Sequence, residues 1–217
     1  MNNLQSGKLI VIDGIDGSGK ATQTKILVEK LKQTGHQVET MDFPQYKNNF
    51  FGQMIRQYLD GEFGEAIKIN PKLASILYAA DRWESSGKIK QWLADGKTVI
   101  LDRYYTSNLI HQGAKLEENE LDEFIAWLNK MEFDTFKIPQ PDLVIYLHLD
   151  AELAHELIAK RGEGHDGHDK LEFMKLAEQR CLYLANKLNW KIIKCFKDNK
   201  ILGIEKIAQQ VELILKK

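Results

Sequence analysis

The chain contains 217 residues, of which 43% are hydrophobic and 28% are charged, so it is long and apolar enough to form a core of its own. Its formal net charge of −1 provides no bulk attraction to nucleic acid or to an anionic membrane surface, and neither is expected as a partner. No apolar run has the length of a bilayer-spanning helix, so no membrane insertion is expected.

The predicted elements alternate between short strands rich in β-branched residues and longer helices. Strands are predicted over 8–13, 37–42, 98–102, 142–149 and 191–196. Helices are predicted over 20–34, 50–59, 71–93, 121–130, 151–160, 170–188 and 201–215. This alternation predicts an α/β fold in which a five-stranded parallel sheet carries helices on both faces, and no linker or repeat divides the single domain expected over 1–217. Ligands of such sheets bind at the carboxyl ends of the strands.

The segment 14–20, Gly-Ile-Asp-Gly-Ser-Gly-Lys, joins the first predicted strand to the first predicted helix. Gly14, Gly19 and Lys20 have the spacing of a phosphate-binding loop. Glycines let the backbone pass close to a polyphosphate, and the helix N-terminus and the lysine add positive charge. A glycine-rich turn could also be only a tight connection, but the lysine and both flanking elements favour nucleotide binding.

The residue after the loop lysine departs from the usual pattern. A hydroxyl side chain that helps to hold Mg²⁺ normally follows the lysine, and here the residue is Ala21. Thr22 is adjacent, but it points elsewhere on the helix. Magnesium is therefore expected to be held by phosphate oxygens, water and a carboxylate from another segment, for which Asp102 at the end of the third predicted strand is the candidate.

Two more segments carry side chains that suit a nucleotide. Arg103 follows Asp102 and could grip a phosphate with two N–H groups, although acid–arginine pairs at strand ends are often structural salt bridges. Tyr78 and Arg82 are four residues apart on one helix face, so a ring and a guanidinium could stack on a base and donate to its oxygens. Taken alone, that pair is more typical of packing on a helix surface. The neighbouring Trp83 is predicted to lie in the core.

Two observations bear on the compartment. The first eight residues are polar and lack the apolar stretch of a secretory signal. Cys181 and Cys195 do not have the spacing of a metal or redox motif, so both are expected to be reduced core residues. The chain is therefore expected to be cytoplasmic.

Together these motifs resemble the thymidylate kinase family. Its order and spacing are matched by 14–20, Phe43-Pro44, 78–84, 102–104 with Ser107-Asn108, and 112–115. The string over 102–115, Asp-Arg-Tyr-Tyr-Thr-Ser-Asn-Leu-Ile-His-Gln-Gly-Ala-Lys, is the most specific part. The resemblance extends from Lys8 to about Val211. It implies a three-layer P-loop NTPase fold with a mobile lid at about 160–170, transfer of the γ-phosphoryl group of ATP to dTMP with Mg²⁺, and a homodimer.

The resemblance also implies roles for individual residues. The ATP phosphates would be lined by Gly14, Asp16, Gly17, Ser18, Gly19, Lys20, Ala21 and Thr22. The acceptor dTMP would be bound by Asp16, Phe43, Arg56, Tyr78, Arg82, Arg103, Asn108 and Gln112. In this scheme Tyr78 stacks on thymine, Arg82 donates to its carbonyl edge, and Asp16 contacts the 3′-hydroxyl. Catalysis is assigned to charge neutralisation by Lys20, Asp102, Arg103 and Arg161, with Asp102 also at the metal.

The lid is the part of the chain with the weakest match. Some family members carry a catalytic arginine in the phosphate loop, but position 17 is glycine, so Arg161 is the expected lid arginine, with Lys160 and Lys170 nearby. Three glycines over 161–169 favour a flexible closing element. The segment 164–169, Gly-His-Asp-Gly-His-Asp, could instead bind a metal through its imidazoles and carboxylates.

Two other functions stay open on the sequence. A deoxynucleoside kinase acts on a sugar hydroxyl and needs a carboxylate base near the end of the second strand, where Asp42 lies. A nucleotide-dependent ATPase switch would use the same phosphate loop. It would need a water-positioning Gln or Glu and mobile switch loops, but no base-stacking Tyr and Arg.

Overall fold

Five parallel strands form the centre of the molecule in a computed structural model that describes residues 7–162 and 170–215. The strand β1 (Leu9–Asp13) lies in the middle, between β3 (Thr98–Asp102) and β4 (Leu143–His148). The outer strands are β2 (Val38–Asp42) beside β3 and β5 (Lys191–Lys194) beside β4. Every residue of β1 is buried, as expected when both faces of a parallel sheet are covered. The predicted α/β fold with a five-stranded parallel sheet is confirmed.

Helices connect and cover these strands. Within the described residues the α-helices are α1 (Lys20–Gln33), α2 (Phe50–Leu59), α3 (Pro71–Ala94), α4 (Tyr105–His111), α5 (Leu121–Asn129), α6 (Ala151–Arg161), α7 (Leu171–Lys187) and α8 (Ile204–Leu215). One group consists of α1 and α8, which pack on each other, and α7 packs on α4 and α6 in another. None of the helices in these ranges is both long and apolar enough to cross a membrane.

The long helix α3 begins where its sequence provides a cap. The Asn70 side chain accepts hydrogen bonds from the amides of Lys72 and Leu73, and Pro71 occupies the first helical position, where its missing N–H costs nothing. The residues of α3 that face the interior are mostly small, so the helix lies close to its neighbours. The buried positions are Ala74, Ser75, Ala79, Ala80, Asp81, Arg82, Ser85, Ser86 and Ile89.

Trp83 does not lie in the core, which corrects the prediction made from the sequence. Its side chain is 51% exposed, and its ring packs on Phe136 with the ring centroids 6.1 Å apart. The inward face of α3 admits small side chains and leaves no room for an indole. The two cysteines are buried and free, as predicted.

Several local elements were not predicted. The helix α4 begins just after β3, and a π-helical segment, Lys130–Thr135, continues directly from α5. The fifth strand, predicted over 191–196, ends at Lys194 in the structure. A short hairpin follows, formed by β6 (Phe196–Lys197) and β7 (Lys200–Ile201). Its two turn residues, Asp198 and Asn199, both have positive φ, which Asp and Asn tolerate better than most residues. The last helix therefore begins at Ile204 rather than at 201.

Candidate active site

A cavity of about 690 Å³ opens at the carboxyl ends of β1, β2 and β3. Its walls come from the phosphate loop, the end of β2, the helix α3, and the segment that links β3 to α4. These segments lie together because the strands are parallel, so the loops that follow them all leave the sheet at the same edge. The volume lies within the range of cavities that hold small ligands.

The phosphate loop has the backbone geometry that its glycines allow. Gly17 and Gly19 have φ of 80° and 86°, in the left-handed region that favours glycine. Gly14 is restricted by space instead, because a Cβ there would lie 2.6 Å from Ser18 Oγ and 2.7 Å from the Leu147 carbonyl oxygen. No described side chain caps the N-terminus of α1, so its first amide groups are available to an anion.

Lys20 begins α1 and is buried beneath the loop. Its Nζ donates to the Ile15 carbonyl oxygen at 2.8 Å and lies 3.9 Å from Asp16 Oδ1. Burial lowers the pKa of Lys20, and the nearby positive charge of Arg103 lowers it further. The ammonium thus lies in an environment that an added polyphosphate would make more favourable.

Arg103 lies between the phosphate loop and α4. Its backbone has φ of 65°, which is uncommon for a residue with a Cβ. The guanidinium bonds Asp16, and its Nη1 lies 3.3 Å from both Ser107 Oγ and His111 Nε2. Burial alone would lower the pKa of Arg103, but the carboxylates around it, led by Asp16, raise it, so the charge is permanent.

Asp102 supplies a carboxylate to the same cavity. Burial raises the pKa of Asp102, although Lys20 and Arg103 act in the opposite direction. Asp42 is its register partner on β2, so two acids meet at the ends of neighbouring strands. The described residues contain no group of three His, Cys, Asp or Glu side chains that could cage a metal. One carboxylate beside a phosphate loop instead fits Mg²⁺, which is usually held by one or two carboxylates together with substrate phosphates and water.

The far side of the cavity is lined by aromatic and amide side chains. Tyr78 lies on α3, and its ring meets that of Tyr58 edge to face at 6.1 Å. Phe43 follows β2 in a cis Phe43–Pro44 peptide and packs on Tyr104 with 5.8 Å between ring centroids. These rings form apolar surfaces of the kind on which a nucleobase can stack.

Two amide side chains of α4 and its C-cap reach the same pocket. Asn108 is buried and donates through Nδ2 to the Ser75 carbonyl oxygen at 3.2 Å. Gln112 is also buried, and its Oε1 accepts no hydrogen bond from the described part of the chain. A buried acceptor without a partner is costly, so Gln112 Oε1 is suited to a donor on a bound ligand.

Arg82 lines the cavity but is not a free cation. Its Nε lies 3.3 Å from Glu132 Oε2, and its Nη2 bonds Glu132 Oε1. Glu132 belongs to the π-helical segment after α5 and was not predicted from the sequence. The available signal was an acid between two apolar residues, Met131 and Phe133.

Asp13 is the second site residue whose role the sequence did not reveal. It ends β1 and is fully buried. Its carboxylate accepts from the amide of Gly14 at 2.8 Å and from the hydroxyls of Thr106 and Ser107. Asp13 therefore links the phosphate loop to the helix α4 through hydrogen bonds.

Arg56 lies on the α2 side of the cavity. It forms an ion pair with Asp60 one turn along the helix, with 2.6 Å between Nη2 and Oδ1. Its guanidinium also lies 5.7 Å from the centre of the Tyr46 ring. The arginine is half-exposed, and so it lines the cavity without being enclosed by it.

Most of the residues predicted for the site come together in this one cavity. Its lining includes Asp16, Gly17, Gly19, Lys20, Ala21, Thr22, Phe43, Arg56, Tyr78, Arg82, Asp102, Arg103, Asn108 and Gln112. Gly14 and Ser18 belong to the same loop but lie behind its surface. Arg161 ends α6, but its side chain lies outside the described structure. The segment 163–169, which contains the whole of the alternative metal motif at 164–169, is also outside it.

A phosphate loop that shares one cavity with aromatic and amide side chains fits a P-loop nucleotide kinase. Comparison with known proteins agrees, because the family model described as thymidylate kinase matches residues 12–202. The chain belongs to the thymidylate kinase family, whose members are ATP-dependent nucleoside monophosphate kinases and hence phosphotransferases.

Individual relatives match over most of their length. Human thymidylate kinase is 32% identical over 212 residues, which cover 96% of this chain and 89% of the human protein. The Mycobacterium tuberculosis enzyme is 32% identical over 170 residues, or 78% and 79% of the two chains. The solved structure of Candida albicans thymidylate kinase superimposes with a TM-score of 0.76 at 28% identity, covering 97% of this chain and 92% of that one.

Proposed function

We propose that this chain phosphorylates dTMP with ATP, giving dTDP and ADP, and that the cavity holds both nucleotides with their phosphates facing each other. The observation that carries the proposal is Arg103, which bonds Asp16 of the phosphate loop and lines the same cavity as Tyr78. A guanidinium between a donor site and a base pocket is suited to an acceptor phosphate. Transfer then needs alignment and charge neutralisation rather than a nucleophilic side chain.

The donor side of this proposal rests on the phosphate loop. The ATP phosphates would bind the amides of residues 14–22, with Lys20 Nζ moving from the Ile15 carbonyl oxygen to the outer phosphates. Both groups it now contacts, the Ile15 carbonyl and Asp16, lie within the loop itself. Lys20 would stabilise the charge on the transferring phosphoryl group, as Arg103 would from the other side.

The acceptor side rests on charge and shape together. The dTMP phosphate would bind Arg103 and Arg56, which line the same cavity. Asp16 would then release one edge of Arg103 to the phosphate and contact the 3′-hydroxyl of the sugar. Thymine would stack on Tyr78, with Phe43 against the nucleoside.

The base would be read by three polar side chains. Arg82 would donate to a thymine carbonyl oxygen, and Gln112 Oε1 would accept from the ring N–H, which gives its unpaired oxygen a partner. Asn108 lies in the same pocket, with its Nδ2 already held by Ser75. The edge of thymine presents a carbonyl oxygen and a ring N–H, which are the complements of the Arg82 donor and the Gln112 acceptor.

Mg²⁺ is proposed at Asp102, with Ala21 unable to contribute the usual hydroxyl. When bound, the ion would neutralise part of the charge on the phosphates. The protein supplies a carboxylate that burial holds in place beside Lys20. The strand β3 fixes its position, since Asp102 is the last residue of that strand.

The lid assignment stays a prediction. Arg161 is the last residue of α6, and Ile158 one turn earlier lines the cavity. The end of α6 therefore lies beside the nucleotide site. We propose that Arg161 contacts the transferring phosphoryl group when the segment at 160–170 closes.

A homodimer and a cytoplasmic location are also proposed. Exposed apolar side chains Leu73, Ile76 and Trp83 recur along α3 at spacings that place them on one helix face. Phe50 at the start of α2 is also exposed. A second copy of the chain would cover this face. The free, buried cysteines are consistent with a reducing compartment.

The two alternatives make different demands on the site. Asp42, the base required by a deoxynucleoside kinase, lines the cavity and accepts from Gln45 Nε2 at 2.9 Å. The permanent charge on Arg103 beside the pocket favours an anionic acceptor instead. An ATPase switch would have no use for a pocket lined by Tyr78 and Gln112.

An ADP-release assay with three acceptor conditions tests the proposal. The purified chain is incubated with ATP and Mg²⁺, and with dTMP, thymidine or no acceptor. We expect ADP release to depend on dTMP. Turnover with thymidine but not dTMP would establish the deoxynucleoside kinase, and turnover that is independent of any acceptor would establish the ATPase.

A further inference from the structure

A buried ion pair lies behind the base pocket. Arg82 is 2% exposed and Glu132 is 0% exposed, and they meet through two hydrogen bonds, from Nε and from Nη2. Removing two charges from water is expensive, and apolar residues of the same volume often give equal or greater stability. An ion pair this deeply buried is therefore weak evidence for stability and invites a functional explanation.

The ion pair with Glu132 occupies one edge of the Arg82 guanidinium and leaves the other edge available. Glu132 engages Nε and Nη2, whereas Nη1 has no hydrogen-bond partner in the described part of the chain. Arg82 nevertheless lines the cavity. A planar group that is gripped along one edge has a fixed orientation, so the remaining N–H groups point in a defined direction.

Glu132 is itself held firmly. Its backbone carbonyl accepts from the Ile138 amide at 3.0 Å, and the adjacent Phe133 ring meets Tyr105 edge to face at 4.9 Å. Burial, with a contribution from Glu132, raises the pKa of Tyr105 to about 12 and also raises the pKa of Tyr104. The tyrosines near this acid are therefore neutral, and the nearby charge that balances it is that of Arg82.

We propose that Glu132 is a positioning residue for recognition of the acceptor base. It would fix the direction in which Arg82 presents its free N–H groups, and it would cancel the charge of Arg82. The pocket would then receive the carbonyl edge of a neutral pyrimidine rather than an anion. This inference rests on the proposed function, because it takes Arg82 to contact the base.

A consequence for selectivity follows from the chemistry of the base edge. Thymine presents a carbonyl oxygen at position 4, whereas 5-methylcytosine is the same size but presents an amino group there and lacks the ring N–H at position 3. A fixed N–H group can donate to the carbonyl oxygen of thymine, but it meets another donor in the amino group of 5-methylcytosine. A guanidinium without Glu132 could turn or shift away from the amino group, so discrimination between dTMP and 5-methyl-dCMP should depend on Glu132.

The first variant is Glu132→Gln in the full chain, which keeps the shape and removes the charge. We expect the KM for dTMP to rise about tenfold, since one charge-assisted contact is weakened. The KM for ATP should stay unchanged, and the preference for dTMP over 5-methyl-dCMP should fall. The control is Glu39→Gln, which removes the acid of the Lys97–Glu39 ion pair at the other end of β2 and should alter none of these values.

A double-mutant cycle separates positioning from a structural role. In an Arg82→Ala background, Glu132→Gln should cause no further rise in the KM for dTMP, because the residue through which it acts is gone. A rise of the same size in both backgrounds would overturn the proposal, as would an unchanged KM in the single Glu132→Gln variant. If instead Arg82→Ala itself leaves the KM for dTMP unchanged, the proposed function of Arg82 fails, whatever Glu132 does.

A third variant covers the case in which the glutamine protein does not fold. Glu132→Asp retains the charge on a shorter side chain. The proposal expects the KM for dTMP to rise while the KM for ATP does not, and expects a higher preference for dTMP over 5-methyl-dCMP than Arg82→Ala shows. Equal rises in both KM values would assign Glu132 a structural role and overturn the proposal.

Discussion

At the scale of single residues, the site depends on cations held close to carboxylates before any nucleotide binds. Arg103 bonds Asp16 and lies 3.9 Å from Asp13, while Lys20 also lies 3.9 Å from Asp16. This arrangement keeps two positive charges apart and oriented without neutralising them permanently. An incoming phosphate would replace Asp16. Its binding would cost less free energy, because the guanidinium is already held in its orientation.

Arg103 is the residue whose loss should matter most for transfer. Arg103→Ala should lower kcat by about a hundredfold or more and raise the KM for dTMP, because a donor to the transferring group is removed. Arg103→Lys should recover only part of this, since an ammonium cannot bind phosphate through two parallel N–H groups. Both values come from steady-state kinetics with varied dTMP.

The matched control is Arg180→Lys. Arg180 is a half-buried arginine of α7 that bonds the Gly113 and Leu116 carbonyl oxygens, outside the cavity lining. The Arg180→Lys substitution should change kcat by no more than about twofold, because it removes no phosphate contact. An Arg103→Ala variant with unchanged kcat and dTMP KM would remove Arg103 from the mechanism.

Gly14 offers a second test, this time of backbone packing. Gly14→Ala would place a methyl group against Ser18 Oγ and the Leu147 carbonyl oxygen, so we expect a loss of about 1–3 kcal/mol in the free energy of unfolding. Gly87→Ala is the control, because Gly87 lies within α3 with nothing within 4 Å of the added Cβ, and alanine there should stabilise the helix by about 0.5–1 kcal/mol. Urea unfolding measures both. An equal response of the two variants would contradict the close packing of the loop.

At the scale of elements, periodicity and loop motifs predicted the sheet and the phosphate loop. The strand Thr98–Asp102 and the helix Phe50–Leu59 have the bounds that the sequence predicted. The helix α4 was missed because it has only seven residues, too few for a periodic pattern to emerge. Such patterns reveal which face of an element is apolar, but not which distant element will cover it.

Pairing between distant segments explains the other misses. Glu132 lies 50 residues from Arg82, and nothing local to either residue indicates their contact. Trp83 was assigned to the core by its apolar character, but tertiary packing filled the inner face of α3 with small side chains. Asp13 is the last residue of the strand predicted over 8–13, but its three hydrogen-bond partners became clear only from the fold.

Lys115 links two elements near the cavity and should make stability depend on pH. Its Nζ donates to Tyr58 Oη at 2.9 Å and to the Ala66 carbonyl oxygen at 2.6 Å, which joins the turn after α4 to the loop after α2. Burial lowers the pKa of Lys115 from 10.5 to about 8. Between these two values the unfolded chain binds one more proton than the folded chain, so stability rises with pH over this interval.

The test is urea unfolding of the parent chain and Lys115→Met at several pH values between about 7.5 and 9.5, an interval that spans the lowered pKa. We expect the free energy of unfolding of the parent chain to increase with pH relative to that of the variant. Parallel curves for the two proteins would show that Lys115 titrates normally and is not buried as described.

At the scale of the whole molecule, two features matter: the edge of the sheet and the exposed apolar face of α3. The sheet brings the phosphate loop and the proposed acceptor pocket together at one edge, so distant segments of the chain would act on one reaction. The apolar face formed by Leu73, Ile76 and Trp83 lies on the same helix that carries Tyr78 and Arg82. Association through that face would therefore support the helix that presents the proposed base-binding residues.

The homodimer proposal predicts a change in molecular mass. Leu73 is 63% exposed, and Leu73→Glu would place a charge in the proposed interface, so sedimentation velocity should show a shift from dimer to monomer. Leu176→Glu is the matched control, because Leu176 on α7 is 50% exposed and lies outside this face. A parent chain that sediments as a monomer, or equal behaviour of the two variants, would contradict the proposed interface.

The most direct test of the central claim is a crystal structure with dTMP and a non-hydrolysable ATP analogue bound together. We expect the thymine ring within about 4 Å of the Tyr78 ring, the dTMP phosphate on Arg103, and the triphosphate on the loop over 14–20. A dTMP molecule bound away from Tyr78 and Arg82, or a triphosphate held elsewhere than the glycine loop, would contradict the account.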